Sequence, residues 1–234
     1  MLNVCISGAN RGLGLEFCKQ LLSVHNEIRI LAGVRRPDKA TELNQLMHDS
    51  GGRLTVLALD VSDTDSVRAF ALKLKELLLG SKLELLINNA GLFEDDGGIG
   101  QAFNPEAFLK SFNVNAIGPM RLIAALGEHL LGSGAKVINI SSLMGSLSDN
   151  ASGGYYSYRA SKAALNMCVR SFAIDRPEFI TVAMHPGWVQ TDMGGQHAPL
   201  TPKESVESLL RVISQLKPYD SGTFKNYDGS SLPW

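Results

Sequence analysis

Leu2-Asn3-Val4-Cys5-Ile6-Ser7-Gly8-Ala9-Asn10-Arg11-Gly12-Leu13-Gly14-Leu15-Glu16-Phe17 changes character twice within a few residues. Leu2–Ser7 is a short, mostly apolar run that reads as a strand. From Gly12 the apolar side chains recur at helical spacing as far as Val24. Three glycines lie where one becomes the other. Glycine permits positive φ and lets backbone approach a ligand closely. A helix start offers unpaired N–H groups and a positive dipole end, both suited to a pyrophosphate. The spacing is G-x-x-x-G-x-G, not the G-x-G-x-x-G of the common dinucleotide fingerprint. An ordinary tight turn would use glycines in the same way, so their place in the wider pattern has to decide.

That pattern is an alternation. Further strands are expected at Ile28–Ala32, Leu54–Leu59, Glu84–Asn88, Lys136–Ile140, Ile180–Met184 and Thr223–Tyr227. Helices are expected at Gly12–Val24, Pro37–Asp49, Ser62–Leu79, Pro105–Leu131, Tyr155–Ile174 and Pro202–Gln215. Thr201 before Pro202 reads as a cap followed by a first-turn proline. Several strands, Ile28–Ala32 and Lys136–Ile140 among them, are apolar along their length rather than alternating, despite one charge each, as in parallel sheets covered on both faces. The expected fold is α/β: a single doubly wound, Rossmann-type domain over residues 1–234. Its mostly parallel sheet has about seven strands, and the ligand crevice lies beyond their carboxyl ends.

Composition removes several function classes. The chain has 234 residues and a formal net charge of −1, with no basic run. Binding nucleic acid or an anionic membrane through bulk charge is therefore not expected. No apolar run is long enough to span a bilayer, and Met1 leads directly into the first strand without a secretory pattern. Cys5, Cys18 and Cys168 are odd in number and not closely spaced. They read as small buried hydrophobes in a reducing, cytoplasmic setting. The five histidines show no ligand spacing, no metal site is expected, and His185 reads as a satisfied loop or core residue.

The end of the second strand bears on which nucleotide fits. An acidic residue there would bond a ribose 2′-hydroxyl. Val34 is followed instead by Arg35 and Arg36, and Arg11 lies within the glycine loop. Arginine suits a 2′-phosphate through charge-assisted contacts. NADP(H) is expected over NAD(H), unless these arginines are merely solvated.

The stretch Tyr155-Tyr156-Ser157-Tyr158-Arg159-Ala160-Ser161-Lys162 offers three phenols and an ammonium. On a helix only Tyr158 has Lys162 at i+4. A phenol titrates near ~10, and an adjacent ammonium lowers that value. A fall of ~3 units needs ~4 kcal/mol, so one partly exposed lysine calls for a second cation. On this stretch alone, a solvated helix pair is the plainer reading.

Four more pieces follow in order: Asn88-Asn89-Ala90-Gly91 ending a strand, Asn115 within a long helix, Ser141-Ser142 ending another strand, and His185-Pro186-Gly187-Trp188-Val189-Gln190-Thr191 after the sixth. With Gly8/Gly12/Gly14 and Tyr158/Lys162, the chain resembles the short-chain dehydrogenase/reductase family from Leu2 to its end. It looks most like the sniffer-type carbonyl reductases and the C-factor-like proteins.

The resemblance implies a catalytic set of Asn115, Ser142, Tyr158 and Lys162. Tyr158 would be the proton donor in reduction. Lys162 would bond the nicotinamide ribose and lower the tyrosine pKa, with the oxidised nicotinamide as the second cation. Ser142 would hold the substrate oxygen, and Asn115 would position a water. Around the cofactor it implies Gly8, Asn10, Arg11, Gly12, Leu13 and Gly14 at the phosphates and Arg35 at the 2′-phosphate. Asp60 and Val61 would flank the adenine, and Asn89, Ala90 and Gly91 the adenosine ribose. Pro186, Gly187, Val189 and Thr191 would hold the nicotinamide end.

Two departures from the family pattern stand out. Ser7 replaces the commoner threonine, and the interval from Ser142 to Tyr158 is several residues longer than usual. Tyr155 and Tyr156, near its end, either line the pocket or simply pack. The activity implied is NADPH-dependent reduction of a small aldehyde or ketone. The alternative is an NADP-binding signalling or scaffold protein with weak catalysis. Length disfavours an epimerase with a separate substrate domain. The family's dimerisation helices correspond to Pro105–Leu131 and Tyr155–Ile174, implying a possible homodimer.

Overall fold

The computed structural model describes residues 1–99, 103–127 and 130–234. Its strands are β1 (Leu2–Ser7), β2 (Ile28–Val34), β3 (Leu54–Ala58), β4 (Leu83–Asn88), β5 (Leu131–Ile140), β6 (Ile180–His185) and β7 (Thr223–Asn226). They form one seven-stranded sheet in the order β3-β2-β1-β4-β5-β6-β7, and every neighbouring pair is parallel. The helices are α1 (Gly12–Val24), α2 (Thr41–Asp49), α3 (Thr64–Leu78), α4 (Pro105–Phe112), α5 (Gly118–Leu126), α6 (Tyr156–Asp175) and α7 (Pro202–Gln215).

Side chains of a strand point alternately to opposite faces. In β1, Val4 and Ile6 join Phe17 and Leu21 of α1 and Leu209 and Ile213 of α7 in one core layer. Cys5, between them, joins Phe70 and Leu74 of α3 and Leu122 and Leu126 of α5 in the other. Both faces are covered, which is why the strands carry apolar residues on both faces rather than alternating. The strand order reverses between β1 and β4, and the crevice at their carboxyl ends is where such folds take ligands.

Three expectations shift. The helix expected over Pro105–Leu131 is broken into α4, a π-helical segment Asn113–Ile117, and α5. Pro119 has no N–H to return to the Asn115 carbonyl four residues back, so the regular ladder cannot continue through this point. The Gly118 N–H instead reaches the Asn113 carbonyl, one residue further back than in an α-helix. Part of that expectation, Glu128 and His129, lies outside the described residues. Leu131 belongs to β5, which begins earlier than the expected Lys136. The expected Pro37–Asp49 helix is a 3₁₀ turn at Pro37–Lys39 followed by α2. At α7 the Thr201 hydroxyl accepts from the Glu204 N–H while the Glu204 carboxylate accepts from the Thr201 N–H, a complete capping box. No helix among the described residues is long and apolar enough to cross a membrane.

Candidate active site

Gly8 and Gly12 take φ of +68° and +53° in the turn from β1 into α1. A Cβ on Gly8 would lie 2.8 Å from the Cα of Ala90, and one on Gly14 would lie 2.2 Å from the Gly8 carbonyl oxygen. These glycines let β1, the β4 turn and α1 close on one another. The Asn89 side chain completes the joint, donating to the Ser7 and Gly8 carbonyls at 3.1 and 2.9 Å. The Ser7 hydroxyl accepts from the Asn89 and Ala90 N–H groups, both at 3.1 Å. Serine in place of threonine therefore keeps the hydroxyl in use.

α1 starts without a side-chain cap and without an acidic residue in its first turn. Its first N–H groups, Leu13 and Gly14 among them, face the crevice end of the sheet with no carboxylate of their own. Asn10 and Arg11 are exposed beside them, and Arg35 is exposed at the end of β2. Asp60 is turned into its own loop, where its carboxylate accepts from the Ser62 N–H (2.9 Å) and hydroxyl (2.6 Å). Val61 is buried against Gly118.

Beyond β6, Pro186 is held by the Ser205 hydroxyl at 2.6 Å, and Gly187 takes φ +83°. Val189 pairs with Leu200, and the Thr191 hydroxyl accepts from the Gly194 N–H. A Cβ on Gly12 would stand 3.4 Å from the Thr191 methyl, so this segment faces the glycine turn across the crevice. Arg11 and Asp192 form an ion pair that spans the gap.

Tyr158 and Lys162 stand on one face of α6, both buried, and Ser142 follows β5 beside them. Lys162 Nζ lies 5.7 Å from the Tyr158 ring centroid and donates to the Ile140 carbonyl at 2.8 Å. The ammonium therefore sits over the ring face rather than at the hydroxyl. Burial pushes the phenol up to about 12, with the nearby Ser142 hydroxyl working the other way. Burial also lowers the ammonium to about 8. The expected fall of the tyrosine pKa is absent in the chain alone: desolvation raises it, and Ser142 offsets only part of that rise. The Ser142 oxygen accepts from the Met144 N–H at 3.2 Å.

Asn115 is fully buried in the π-helical segment. Its amide accepts from the Leu92 N–H and donates to the Leu92 carbonyl, both at 2.9 Å, and donates to the Ser161 hydroxyl at 3.0 Å. A Cβ on Gly91 would lie 3.4 Å from Asn115 Oδ1 and 3.7 Å from Lys162 Nζ. Asn115, Lys162 and the β4 turn are thus packed together.

Sequence reasoning passed over several neighbours. The Phe93 ring lies 4.9 Å from that of Tyr158 and 5.3 Å from that of Tyr155, tilted against both. Met193 places its sulfur 3.9 Å from the Tyr158 hydroxyl. The Asp96 carboxylate accepts from the Ser157 N–H at 2.7 Å. All come from loops whose sequence carries no spacing signal. Ser161, at i+3 from Tyr158, was the one that helix geometry could have found. Tyr155 and Tyr156 are both exposed. His185 differs from expectation: its buried Nδ1 has no partner among the described residues, and burial lowers its pKa to about 4.

The short chain dehydrogenase family model matches residues 2–199. The chain belongs to that family. This short chain dehydrogenase is 47% identical over 155 residues to C-signal of Myxococcus xanthus, covering 65% of this chain and 93% of that protein. Its structure superposes on the carbonyl reductase Sniffer of D. melanogaster with a TM-score of 0.93 at 32% identity, covering all of both chains. The NADPH-bound carbonyl reductase from chicken fatty liver matches with a TM-score of 0.93 at 36% identity, covering 99% of this chain and 98% of that one.

Proposed function

We propose that this short chain dehydrogenase reduces the carbonyl of a small aldehyde or ketone, with NADPH as the hydride source and Tyr158 as the proton donor. One observation carries the reading: the Tyr158 phenol, still protonated, is buried with Ser142 and with the Lys162 ammonium over its ring. At neutral pH it is an acid with a proton to give, the state reduction needs. The Ser142 hydroxyl, adjacent to it, can donate to the same substrate oxygen and stabilise charge developing there. Tyr158 and Ser142 would thus hold the carbonyl oxygen, and the proton would leave from the phenolic hydroxyl.

The residues present fit NADPH. The uncapped start of α1 and the side-chain-free Gly8, Gly12 and Gly14 would take the pyrophosphate. Asn10 and Leu13 would add contacts there. Arg35, with Arg11, would meet the 2′-phosphate. Asp60 and Val61 would flank the adenine, and Asn89, Ala90 and Gly91 the adenosine ribose. Lys162, with N–H bonds beyond the one given to Ile140, would hold the nicotinamide ribose hydroxyls. Pro186, Gly187, Val189 and Thr191 would border the nicotinamide. Bound there, the cofactor supplies the hydride, and the chain supplies placement and the proton. Asn115 would keep the β4 turn and Lys162 in register and border a water route to solvent. The chain is read as one domain. The stretch between Thr191 and α7 is short, so the substrate site is read as open and permissive. Similarity to carbonyl reductases, one named as NADPH-bound, supports the same reading.

A second reading, a cofactor-binding signalling protein, is favoured by the similarity to C-signal. One experiment separates the two: NADPH oxidation followed by absorbance across a panel of aldehydes and ketones. Consumption with several of them supports the reductase. Tight NADPH binding with no consumption favours the signalling role.

A further inference from the structure

We propose that Asp96 is a positioning residue for Tyr158: its carboxylate acts as the N-cap that α6 lacks, and so fixes the turn on which the phenol stands. The inference rests on the reductase reading above.

The start of α6 is unusual. Its N-cap position is Tyr155, a bulky residue in the left-handed region at φ 51°, ψ 44°, and it makes no side-chain cap bond. Gly153 and Gly154 before it are also left-handed, at φ 64° and 66°. The first N–H groups of any helix need partners from outside it. Here one arrives from far away in sequence. Asp96, in the β4–α4 loop, accepts from the Ser157 N–H at 2.7 Å. Both residues are buried, with Asp96 at 5% exposure and Ser157 at 0%. Burial works to raise the Asp96 pKa, but the N–H groups of Ser157 and Gly98 outweigh it and hold it below the usual carboxylate range. The cap is therefore an anion at neutral pH, facing the positive end of the helix.

The loop is itself held at both ends. Leu92 is clamped by Asn115 through its N–H and its carbonyl. Asp96 accepts from the Gly98 N–H at 3.0 Å, and its carbonyl accepts from the Asn104 N–H at 3.1 Å. Between the clamps, Phe93 lies against Tyr158. Asp96 thus ties the wall over the phenol to the backbone that carries it, one residue before Tyr158. Loss of the tie would loosen the proton donor without touching the glycine turn.

Asp96→Ala is expected to lower kcat at least ~10-fold, since a small misplacement of a reacting group is costly. NADPH affinity should stay within about twofold. The solvent deuterium isotope effect on kcat should rise, because proton donation becomes slower relative to the other steps. A variant that is merely less stable loses active molecules and leaves that isotope effect unchanged. Asp96→Asn keeps an acceptor for one of the two N–H groups and should fall only about threefold. As a control, Asp63→Ala removes the cap of α3, whose carboxylate accepts from the Ser66 N–H at 2.7 Å, and should leave kcat and the isotope effect unchanged.

If Asp96→Ala keeps wild-type kcat and isotope effect, the proposal is overturned. If that variant does not fold, Asp96→Asn decides: a loss near threefold with a raised isotope effect supports the tie, and wild-type values overturn it. A wild-type protein that reduces no carbonyl overturns both this inference and the reductase reading. An active wild type with an indifferent position 96 overturns this inference alone.

Discussion

Lys162 Nζ lies 5.7 Å from the Tyr158 ring centroid while donating to the Ile140 carbonyl, so the two side chains share a buried site without a direct bond between ammonium and phenolic oxygen. Burial shifts each toward its neutral form. Lysine is lowered to about 8 from 10.5, and tyrosine is raised to about 12 from 10.0.

This pairing gives stability a pH dependence of known sign. An unfolded chain keeps the Lys162 proton to about pH 10.5, whereas the folded chain releases it near pH 8. Unfolding takes up a proton within that window, so this residue makes stability rise with pH there. Tyr158 acts oppositely at higher pH. Its folded form keeps a proton that the unfolded chain loses near pH 10, so stability falls as pH rises toward about 12. Between about pH 7 and about pH 9.5, wild type should gain roughly 2 kcal/mol relative to Lys162→Met. Urea unfolding of both proteins at the two pH values measures this. A constant difference between them contradicts the buried-ammonium description.

Gly14→Ala tests the joint between β1, β4 and α1. Its added methyl would meet the Gly8 carbonyl oxygen at 2.2 Å and Asn89 Nδ2 at 2.6 Å. Neither can yield without opening the turn, so a loss of about 1–3 kcal/mol is expected, together with weakened NADPH binding. Thermal unfolding and cofactor titration check it. A variant as stable as wild type would mean the three elements are not in close contact here.

Much of this architecture was legible in the sequence, and the reasons are local. Runs such as Ile28–Ala32, apolar without alternation apart from Arg29, announce strands covered on both faces, and Tyr158 and Lys162 announce a shared helical face by spacing alone. The break within Pro105–Leu131 was missed because the apolar pattern continues through it. Pro119, read against Asn115 four residues earlier, carried the signal. The contacts of Phe93, Asp96 and Met193 with the first turns of α6 were not legible. They depend on how loops distant in sequence fold back, and no periodicity records that.

Arg35 is expected to decide between the two nicotinamide cofactors. It is exposed at the end of β2, free to meet a phosphate and placed where an acid would serve a ribose hydroxyl. Arg35→Asp should raise KM for NADPH by about 10- to 100-fold, the worth of a lost charge-assisted hydrogen bond. KM for NADH should change by less than about threefold. Steady-state kinetics with both cofactors test the assignment, and equal losses refute it.

The most direct test of the reductase reading removes one oxygen atom. Tyr158→Phe keeps the ring against Phe93 and the Lys162 ammonium over its face, but has no proton to donate. With a carbonyl compound that wild type reduces, turnover should fall at least ~10²-fold, while NADPH binding, measured by fluorescence titration, stays within about threefold. A Tyr158→Phe protein that turns over at near-wild-type rate would show that the proton comes from elsewhere and that this site does not work as described.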